Sequence, residues 1–315
     1  MKKLTRLFFA TDIHGSDKCW KKFINAGKFY EADVLILGGD MTGKGLVPVV
    51  RSGSGNEFKA EFRGKKYTLD SKEKLEEFEK MVAMSGYYIH YTTQDELEEL
   101  SADPKKLDAL FLELMIERVR QWLKFAEERL KGTNIKCYVC PGNDDHFEIN
   151  KVLEESSTVI DASDKVIEVD GYHEMINIGW SNPTPWNTPR ECSEEELAKK
   201  IETQVSKLKN VKNSIFQIHA PPYGSQLDNA PKLDKTLKIV YGEMIPVGSR
   251  AVANAIEKYQ PLLGLHGHIH ESDGVVKIGR TLCINPGSVY TEGILRGVVI
   301  NLDKDSIKSY YTVSG

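Results

Sequence analysis

Five continuous apolar runs recur along this chain, and each ends in Asp, Asn or His next to glycine or proline. A strand that is apolar on both faces is typical of a sheet covered by helices. In open α/β sheets, ligands bind beyond the carboxyl ends of such strands. We therefore expect five loops to meet at one polar site. The runs are "LTRLFFATD", "ADVLILGGD", "IKCYVCPGND", "SIFQIHAPP" and "LLGLHGHIH".

The segments between and after these runs predict helices and antiparallel strands. Ser249 is a candidate cap for one helix, and Ser193 with Glu196 forms a capping box for another. Short alternating runs predict antiparallel strands joined by tight turns. The pattern predicts an α/β fold with a mixed sheet, or two packed sheets, and helices outside. The alternating runs are "KVIEVDGYHEMINIGW", "GVVKIG", "RTLCINPGS", "GVVINLD" and "SIKSYYTV".

Residues 44–132 interrupt this order and predict a mainly helical cap, inserted in a single domain that spans residues 1–315. A hairpin is predicted to turn near Gly64, with an amphipathic helix after it. A long helix is predicted from Pro104 to just before Gly132, because proline favours the first helical turn and glycine the position past the last. We expect no further buried strand in this insertion.

Composition places the chain among ordinary globular proteins. It has 315 residues, 40% hydrophobic and 28% charged side chains, and a formal net charge of −4. This acidic balance argues against a broad basic surface for nucleic acid. The first apolar run is interrupted by Arg6 and is too short for a secretory or membrane segment. We therefore expect a cytoplasmic protein with no membrane partner.

The cysteines do not indicate a disulfide framework, because five is an odd number in a long chain. Cys137 and Cys140 form a C-x-x-C pair inside a strand-like run, where residues three apart point to opposite faces. No second pair completes a zinc site. Buried core cysteines are favoured over a redox or zinc role.

Seven side chains at the ends of the apolar runs are candidate metal ligands. Carboxylate, imidazole and amide donors without thiolate suit borderline divalent ions such as Mn, Fe, Zn, Ni or Co. Seven donors are too many for one ion, but they suffice for two ions if one carboxylate bridges them. Such ions lie ~3.5–4 Å apart and clamp both oxygens of a phosphoryl transfer. The candidates are Asp12, His14, Asp40, Asn143, His219, His268 and His270.

Each motif alone has an ordinary explanation. D-x-H fits a capping Asp with a surface histidine, G-G-D is common in turns, and G-N-D-D fits a type I′ turn. H-G-H-x-H also fits a pH-sensitive or adventitious metal patch. Their combination at successive strand ends favours one metal site. His266 is interpreted as a structural histidine rather than a neighbour of the ligands, and Gly267 as a turn residue.

The series "DIHG", "GGD", "GND", "IHAPP" and "GHIH" resembles the calcineurin-like metallophosphoesterase superfamily. That pattern is D-x-H, G-D, G-N-H-[D/E], H and G-H-x-H. The resemblance runs from Asp12 to about Gly287, except for the inserted cap, and "NPGS" at 285–288 is also typical of these enzymes. It implies an α-β-β-α sandwich of two packed mixed sheets flanked by helices.

The resemblance also implies a ligand set and a reaction. One divalent ion would be held by Asp12, His14, Asp40 and His270. The second would be held by Asp40, Asn143, His219 and His268, with Asp40 bridging. A hydroxide between the ions would attack phosphorus in line with the leaving oxygen of a small phosphorylated substrate.

One position departs from the family pattern. The family places a histidine directly after the asparagine, whereas here Asp144 follows, and then Asp145 and His146. Asp144 is a candidate general acid if its pKa is raised, and His146 is a candidate substitute if the loop curls back. The change favours a phosphodiester with a good leaving group, including a nucleotide-type diester, over a monoester.

Three residues are candidate substrate contacts. Trp186 and Arg190 in "GWSNPTPWNTPRE" offer an aromatic face and a phosphate-binding guanidinium, although a packed surface loop explains the segment equally well. Tyr223 follows the candidate ligand His219, where its ring or hydroxyl could touch the substrate. The amino end of the helix after Ser249 is a further candidate phosphate contact.

Two other functions remain open. A nuclease would use the same chemistry, but the acidic balance argues against it. A non-catalytic interaction module would explain the altered G-N-D-D motif, but the complete ligand set argues against that. The sequence leaves the oligomeric state open.

Overall fold

The computed structural model describes residues 4–53 and 57–315, so residues 1–3 and 54–56 of the predicted domain and cap lie outside it. These residues form both strands and helices. Up to the seventh strand, the elements in order are β1 (Thr5–Ala10), α1 (Asp17–Phe29), β2 (Val34–Leu37), β3 (Gly45–Arg51), β4 (Phe58–Phe62), β5 (Lys65–Leu69), α2 (Lys72–Met84), β6 (Tyr87–Thr92), α3 (Gln94–Ala102), α4 (Pro104–Leu130) and β7 (Lys136–Val139).

The remaining elements complete both large sheets. In order they are α5 (Glu148–Leu153), β8 (Val159–Asp161), β9 (Val166–Glu168), β10 (Glu174–Ile178), α6 (Glu194–Val205), β11 (Ile215–Ile218), β12 (Asn229–Leu233), β13 (Ile239–Pro246), α7 (Arg250–Tyr259), β14 (Leu263–Leu265), β15 (Gly274–Ile278), β16 (Thr281–Asn285), β17 (Arg296–Asp303) and β18 (Ser306–Ser314).

Two six-stranded mixed sheets form the body of the protein. The first has the order β18-β17-β1-β2-β7-β8 and the second β15-β16-β14-β11-β10-β9. Within the first sheet, β1, β2, β7 and β8 are parallel to one another, and β17 and β18 add antiparallel pairs at one edge. In the second sheet β10, β11, β14 and β16 are parallel to one another, and β15 and β9 add one antiparallel strand at each edge. The predicted fold class is confirmed.

The continuous apolar runs are explained by burial on both faces of each sheet. In β1, Phe9 belongs to the core between the two sheets, whereas its neighbour Phe8 packs against the outer helices. Successive side chains of a strand point to opposite faces, so a strand covered on both sides needs apolar residues at every position. On the far side of the second sheet, Phe216 packs with Leu197 of α6 and Val252 of α7. The layers are therefore helix, sheet, sheet and helix.

The insertion contains more strand than the sequence predicted. The hairpin at Gly64 is present as β4 and β5, and α2 follows it. The expectation of no further buried strand was wrong, because β3 and β6 pair in parallel and complete a four-stranded sheet of order β5-β4-β3-β6. This sheet has its own core with α2, which includes Val47, Val49, Phe62 and Phe78. A hairpin and a helix separate β3 from β6 along the chain, and this separation hid their pairing from a local reading of the sequence.

The long helix α4 packs on the body, although the predicted cap includes it. Its Trp122 stacks on Trp20 of α1 with ring centroids 5.0 Å apart. Trp20 Nε1 donates to the Trp122 carbonyl at 3.0 Å, and Trp122 Nε1 donates to Asp17 Oδ1 at 3.0 Å. Proline stands in the first turn of α4, as predicted. The end of the predicted cap is thus part of the helical layer over the first sheet.

The predicted burial of the C-x-x-C cysteines is confirmed. Cys137 and Cys140 are buried free thiols, and burial raises the pKa of both. Among the helices of the described residues, none combines the length and apolar character that crossing a bilayer requires.

Candidate metal centre

The seven predicted ligands come together where β1, β2, β7, β11 and β14 end. Because the two sheets face each other, the carboxyl ends of these five strands open onto the same region. Two groups of three predicted ligands each have ligand atoms within 4.8 Å of one another, and so does a third group formed by His14, Asp40 and Asp144. The first group is Asp12, His14 and His270, and the second is Asp40, His219 and His268.

The first group joins the D-x-H loop to the last histidine. His14 Nε2 lies 2.9 Å from His270 Nε2, and His270 Nε2 lies 3.3 Å from Asp12 Oδ1. His14 Nε2 is also 3.6 Å from Asp40 Oδ2. Two imidazole nitrogens and two carboxylate oxygens therefore face one small volume.

The second group lies on the other side of Asp40. His219 Nε2 is 3.4 Å from Asp40 Oδ1 and 3.0 Å from Asn143 Oδ1. The rings of His219 and His268 are 5.3 Å apart between centroids. The two oxygens of Asp40 thus face different groups, as a bridging carboxylate requires.

Hydrogen bonds outside the two groups orient their donor atoms. His219 Nδ1 donates to the Gly38 carbonyl at 2.9 Å, which turns Nε2 toward the site. Asn143 Nδ2 donates to Thr188 Oγ1 at 2.9 Å, which turns Oδ1 inward. These contacts orient the imidazole ring of His219 and the amide of Asn143 so that Nε2 and Oδ1 face the site.

The backbone is strained at four of the ligands. Asp12, His14, Asp40 and His268 have positive φ values of 53°, 38°, 47° and 69°. Residues other than glycine rarely adopt this backbone conformation, and each one that does costs about 1–3 kcal/mol. Strain of this kind persists only where the surrounding structure imposes it, which is common at functional sites.

Gly267 has a different role from the turn predicted for it. The positive φ belongs to His268, and a Cβ on Gly267 would lie 2.1 Å from Thr11 Oγ1 and 2.4 Å from Asp12 Oδ2. Glycine is required there because the histidine loop passes directly over the carboxylate of Asp12. His268 N then donates to that carboxylate at 3.0 Å.

The "NPGS" segment supports the same loops through its side chains. Asn285 Nδ2 donates to the Ile269 carbonyl at 2.9 Å, and Ser288 Oγ donates to the Asp12 carbonyl at 2.6 Å. His266 has the structural contact expected of it, since Nδ1 donates to the Ile218 carbonyl at 2.9 Å. Burial lowers the pKa of His266 to about 4.

The electrostatics of the site call for positive charge. Asp12 and Asp40 are buried, and against the effect of burial the charge of His219 holds the pKa of both carboxyls well below the usual range. Burial alone would lower the pKa of His219, but Asp40 and Asp12 raise it to about 10. His14 Nδ1 is buried without a hydrogen-bond partner. Buried carboxylates and imidazoles that converge in this way fit divalent cations.

Asp145 organises the site, and the sequence reading assigned it no role. Its carboxylate accepts from the main-chain N–H groups of Met41, Thr42 and Gly142 at 2.7–3.0 Å and from Thr42 Oγ1 at 2.6 Å. It therefore ties the loop after β2 to the loop after β7. The sequence shows Asp145 directly after G-N-D. It does not show its hydrogen-bond partners Met41 and Thr42, because they lie far from it along the chain.

The two catalytic candidates are placed differently. The Asp144 carboxylate lies 3.7 Å from His14 Nδ1 and forms an ion pair with Lys44. Burial, and then the charge of Asp40, raise the pKa of Asp144 to about 7. Within the described part of the chain, the imidazole of His146 has no hydrogen-bond or ion-pair partner. Of the two, Asp144 is the one brought to the ligand groups.

Arg190 lies inside the protein, which differs from the phosphate contact expected of it. It is 4% exposed, and it donates from Nε to the Asp145 carbonyl and from Nη2 to the His146 carbonyl and Asn150 Oδ1. Its main-chain N–H also donates to the Asn143 carbonyl at 3.1 Å. Arg190 holds the G-N-D-D loop in shape.

The other proposed substrate contacts remain accessible to different degrees. Trp186 is 66% exposed, on the loop whose Thr188 holds Asn143. Tyr223 is half-buried, and the guanidinium carbon of Arg250 lies 4.0 Å from the centroid of its ring. The amino end of α7 is already occupied, because Glu194 accepts from Ser249 Oγ and from the Arg250 and Ala251 N–H groups. The phosphate contact considered for Ser249 is therefore not supported.

Replacing Arg190 by lysine is expected to reduce stability, since a lysine cannot serve the three acceptors that the guanidinium fork reaches. We expect the free energy of unfolding to fall by about 2 kcal/mol, measured by urea denaturation. Trp186→Ala, at an exposed position, is the control and should change stability by less than about 0.5 kcal/mol. Unchanged stability in Arg190→Lys would contradict the role of Arg190 in holding the G-N-D-D loop.

Comparison with known sequences finds a partial relative. No family model matches the chain. MJ1162, an uncharacterized protein of Methanocaldococcus jannaschii, is 38% identical over 148 residues, which are 46% of this chain and 61% of that protein. The matched region thus spans less than two thirds of the relative's length.

Solved structures show the same fold. One aligns with 97% of this chain and 98% of its own, with a TM-score of 0.57 and 17% identity. TT1561 of Thermus thermophilus aligns over 99% of both chains, with a TM-score of 0.52 and 14% identity. Identities this low carry fold alone. The chain therefore shares the two-sheet fold of these structures, and the order of its motifs resembles the calcineurin-like metallophosphoesterase pattern.

Proposed function

We propose that this protein is a metal-dependent phosphoesterase that hydrolyses a phosphodiester, including diesters of nucleotide type. The observation that carries the proposal is the division of donors around Asp40. Its two carboxylate oxygens face separate histidine groups, at 3.6 Å from His14 Nε2 and 3.4 Å from His219 Nε2. A protein of this fold that bound no metal would gain nothing from this arrangement, because buried carboxylates without a cation reduce stability.

The residues present fit two divalent ions. Asp12, His14, Asp40 and His270 would hold one, and Asp40, Asn143, His219 and His268 the other. When bound there, the ions would supply positive charge at the phosphoryl group and hydroxide near neutral pH. The protein contributes rigid placement, since strained loops and hydrogen-bonded side chains hold the donor atoms in position before substrate arrives.

The preference for a diester is supported by the residue after Asn143. Asp144 stands where the family has an imidazole, and its carboxylate is bound to Lys44. In the ion pair with Lys44 the carboxylate is ionised and has no proton to give to a leaving alkoxide. Two bound cations would oppose the rise in the pKa of Asp144 that burial and Asp40 cause. A diester with a stable leaving group needs less protonation and suits this site better.

The proposal is tested by metal analysis and turnover of the purified chain. Protein dialysed against Mn²⁺ should retain two ions per chain, and it should cleave bis-p-nitrophenyl phosphate faster than p-nitrophenyl phosphate. Two bound ions without any turnover would favour the non-catalytic interaction module instead. A faster reaction with the monoester would overturn the diester preference alone.

A further inference from the structure

Lys44 brings a cation to the metal centre that the family motifs do not contain. It follows the G-G-D loop and immediately precedes β3, where the inserted sheet begins. Its Nζ contacts Asp144 Oδ2, and the same oxygen lies 3.7 Å from His14 Nδ1. The ammonium is therefore one carboxylate away from the ligand groups.

The main chain next to Lys44 is held tightly between the body and the inserted sheet. The Gly43 N–H donates to the Tyr88 hydroxyl at 2.8 Å. A Cβ on Gly43 would lie 2.0 Å from the Gly86 carbonyl oxygen, and a Cβ on Gly86 would lie 2.0 Å from that of His14. These close approaches fix where the lysine stem starts.

The side chain itself remains open to a ligand. It is 51% exposed, whereas Asp144 is 14% exposed. Burial, and then the charge of Lys44, lower the pKa of His14. Burial raises the pKa of Tyr290, and the charge of Lys44 opposes that rise. The ring of Tyr290 packs 4.8 Å from that of His14. A half-exposed ammonium thus borders the ligands from the side of the inserted sheet.

Asp144 alone would work against an anionic substrate. The buried carboxylates of Asp40 and Asp145 already act on it, and a third carboxylate facing the substrate would repel phosphate. Pairing with Lys44 cancels that charge and points an ammonium toward the same space. An N⁺–H donor to a phosphoryl oxygen is a strong, charge-assisted hydrogen bond.

We propose that Lys44 contacts a phosphoryl oxygen of the substrate and that Asp144 positions its ammonium, so that the pair takes the place of the family's imidazole. The inference rests on the proposed function for its substrate class. It assigns Asp144 a positioning role rather than proton donation or metal binding. It also gives the inserted segment a part in the site, through the anchored stretch at Gly43.

The experiment compares Lys44→Met, Lys44→Arg and Asp144→Asn in Mn²⁺-loaded protein. Inorganic phosphate binding is measured by calorimetry, metal content by elemental analysis, and KM and kcat with bis-p-nitrophenyl phosphate. Lys44→Met should weaken phosphate binding and reduce kcat/KM by about 10- to 100-fold, with metal content unchanged. Lys44→Arg should recover most of the binding because it keeps the charge.

Asp144→Asn separates the two assigned roles. It should keep both ions and lose about 10-fold in phosphate affinity, since the ammonium remains but is no longer held. Loss of an ion would make Asp144 a ligand and overturn the inference. Equal phosphate affinity in Lys44→Met and wild type would overturn it as well, and so would wild-type protein that binds no phosphate.

Lys21→Met is the matched control, because Lys21 is 50% exposed and pairs with Asp17 at 2.6 Å on α1. It should bind phosphate as wild type does. Failure of the proposed function is recognised separately, as absent turnover in wild-type protein. The phosphate-binding comparison still decides the role of Lys44 in that case.

Discussion

Asp40→Asn is expected to abolish diester hydrolysis and to reduce the bound Mn²⁺ below two ions per chain. The two oxygens of this carboxylate face both ligand groups, and the amide that replaces it has one acceptor and no charge. Lewis-acid stabilisation by the ions is worth several kcal/mol, so turnover should fall by on the order of 1,000-fold or more. Elemental analysis and the rate with bis-p-nitrophenyl phosphate measure both effects.

A second buried carboxylate serves as the control for Asp40. Asp161 is 7% exposed and accepts from Asn150 Nδ2 and Ser163 Oγ, away from the ligand groups. Asp161→Asn should keep two ions and near-wild-type turnover. Cooperative thermal unfolding of both variants in the metal-free state shows that the fold is intact. An Asp40→Asn protein with two ions and full activity would refute the bridging assignment.

Gly39→Ala is expected to destabilise the metal-free protein by about 3 kcal/mol, combining backbone strain with overpacking. Gly39 has a φ of 127°, and a Cβ there would lie 2.1 Å from His219 Nδ1. The ring would have to leave the Gly38 carbonyl that orients it. We therefore also expect weaker binding of the ion that His219 would hold. Urea denaturation and Mn²⁺ titration measure the two effects.

Gly171→Ala separates strain from the clash. Gly171 also has a positive φ, 83°, but a Cβ there would meet nothing within 4 Å. Only the conformational cost applies, which is about 1 kcal/mol, and metal binding should be unaffected. If the two variants lose the same stability, the contact between Gly39 and His219 does not restrict the site as described.

Local patterns were enough to predict much of the fold. Each of the five apolar runs forms a strand, because burial on both faces demands apolar residues at every position. The capping box at Ser193 and the cap at Ser249 start α6 and α7. The hairpins after the histidine cluster and before Trp180 are also present. Short-range rules govern all of these features, so a single sequence contains them.

The pairings in the insertion could not be read in the same way. β3 and β6 pair in parallel across an intervening hairpin and helix, and neither is a continuous apolar run. The docking of α4 on α1 through Trp122 likewise depends on where the helix lies, which its own apolar spacing does not specify.

The candidate site divides along the same line. The order of Asp, His and Asn residues at strand ends determined which side chains could serve as ligands. Tertiary structure alone decided how they are grouped around Asp40, that Arg190 is an internal clamp, and that Lys44 faces Asp144. The physical reason is distance along the chain: a residue's type and its local conformation are set by near neighbours, whereas its partners come from strands and loops that are remote in sequence.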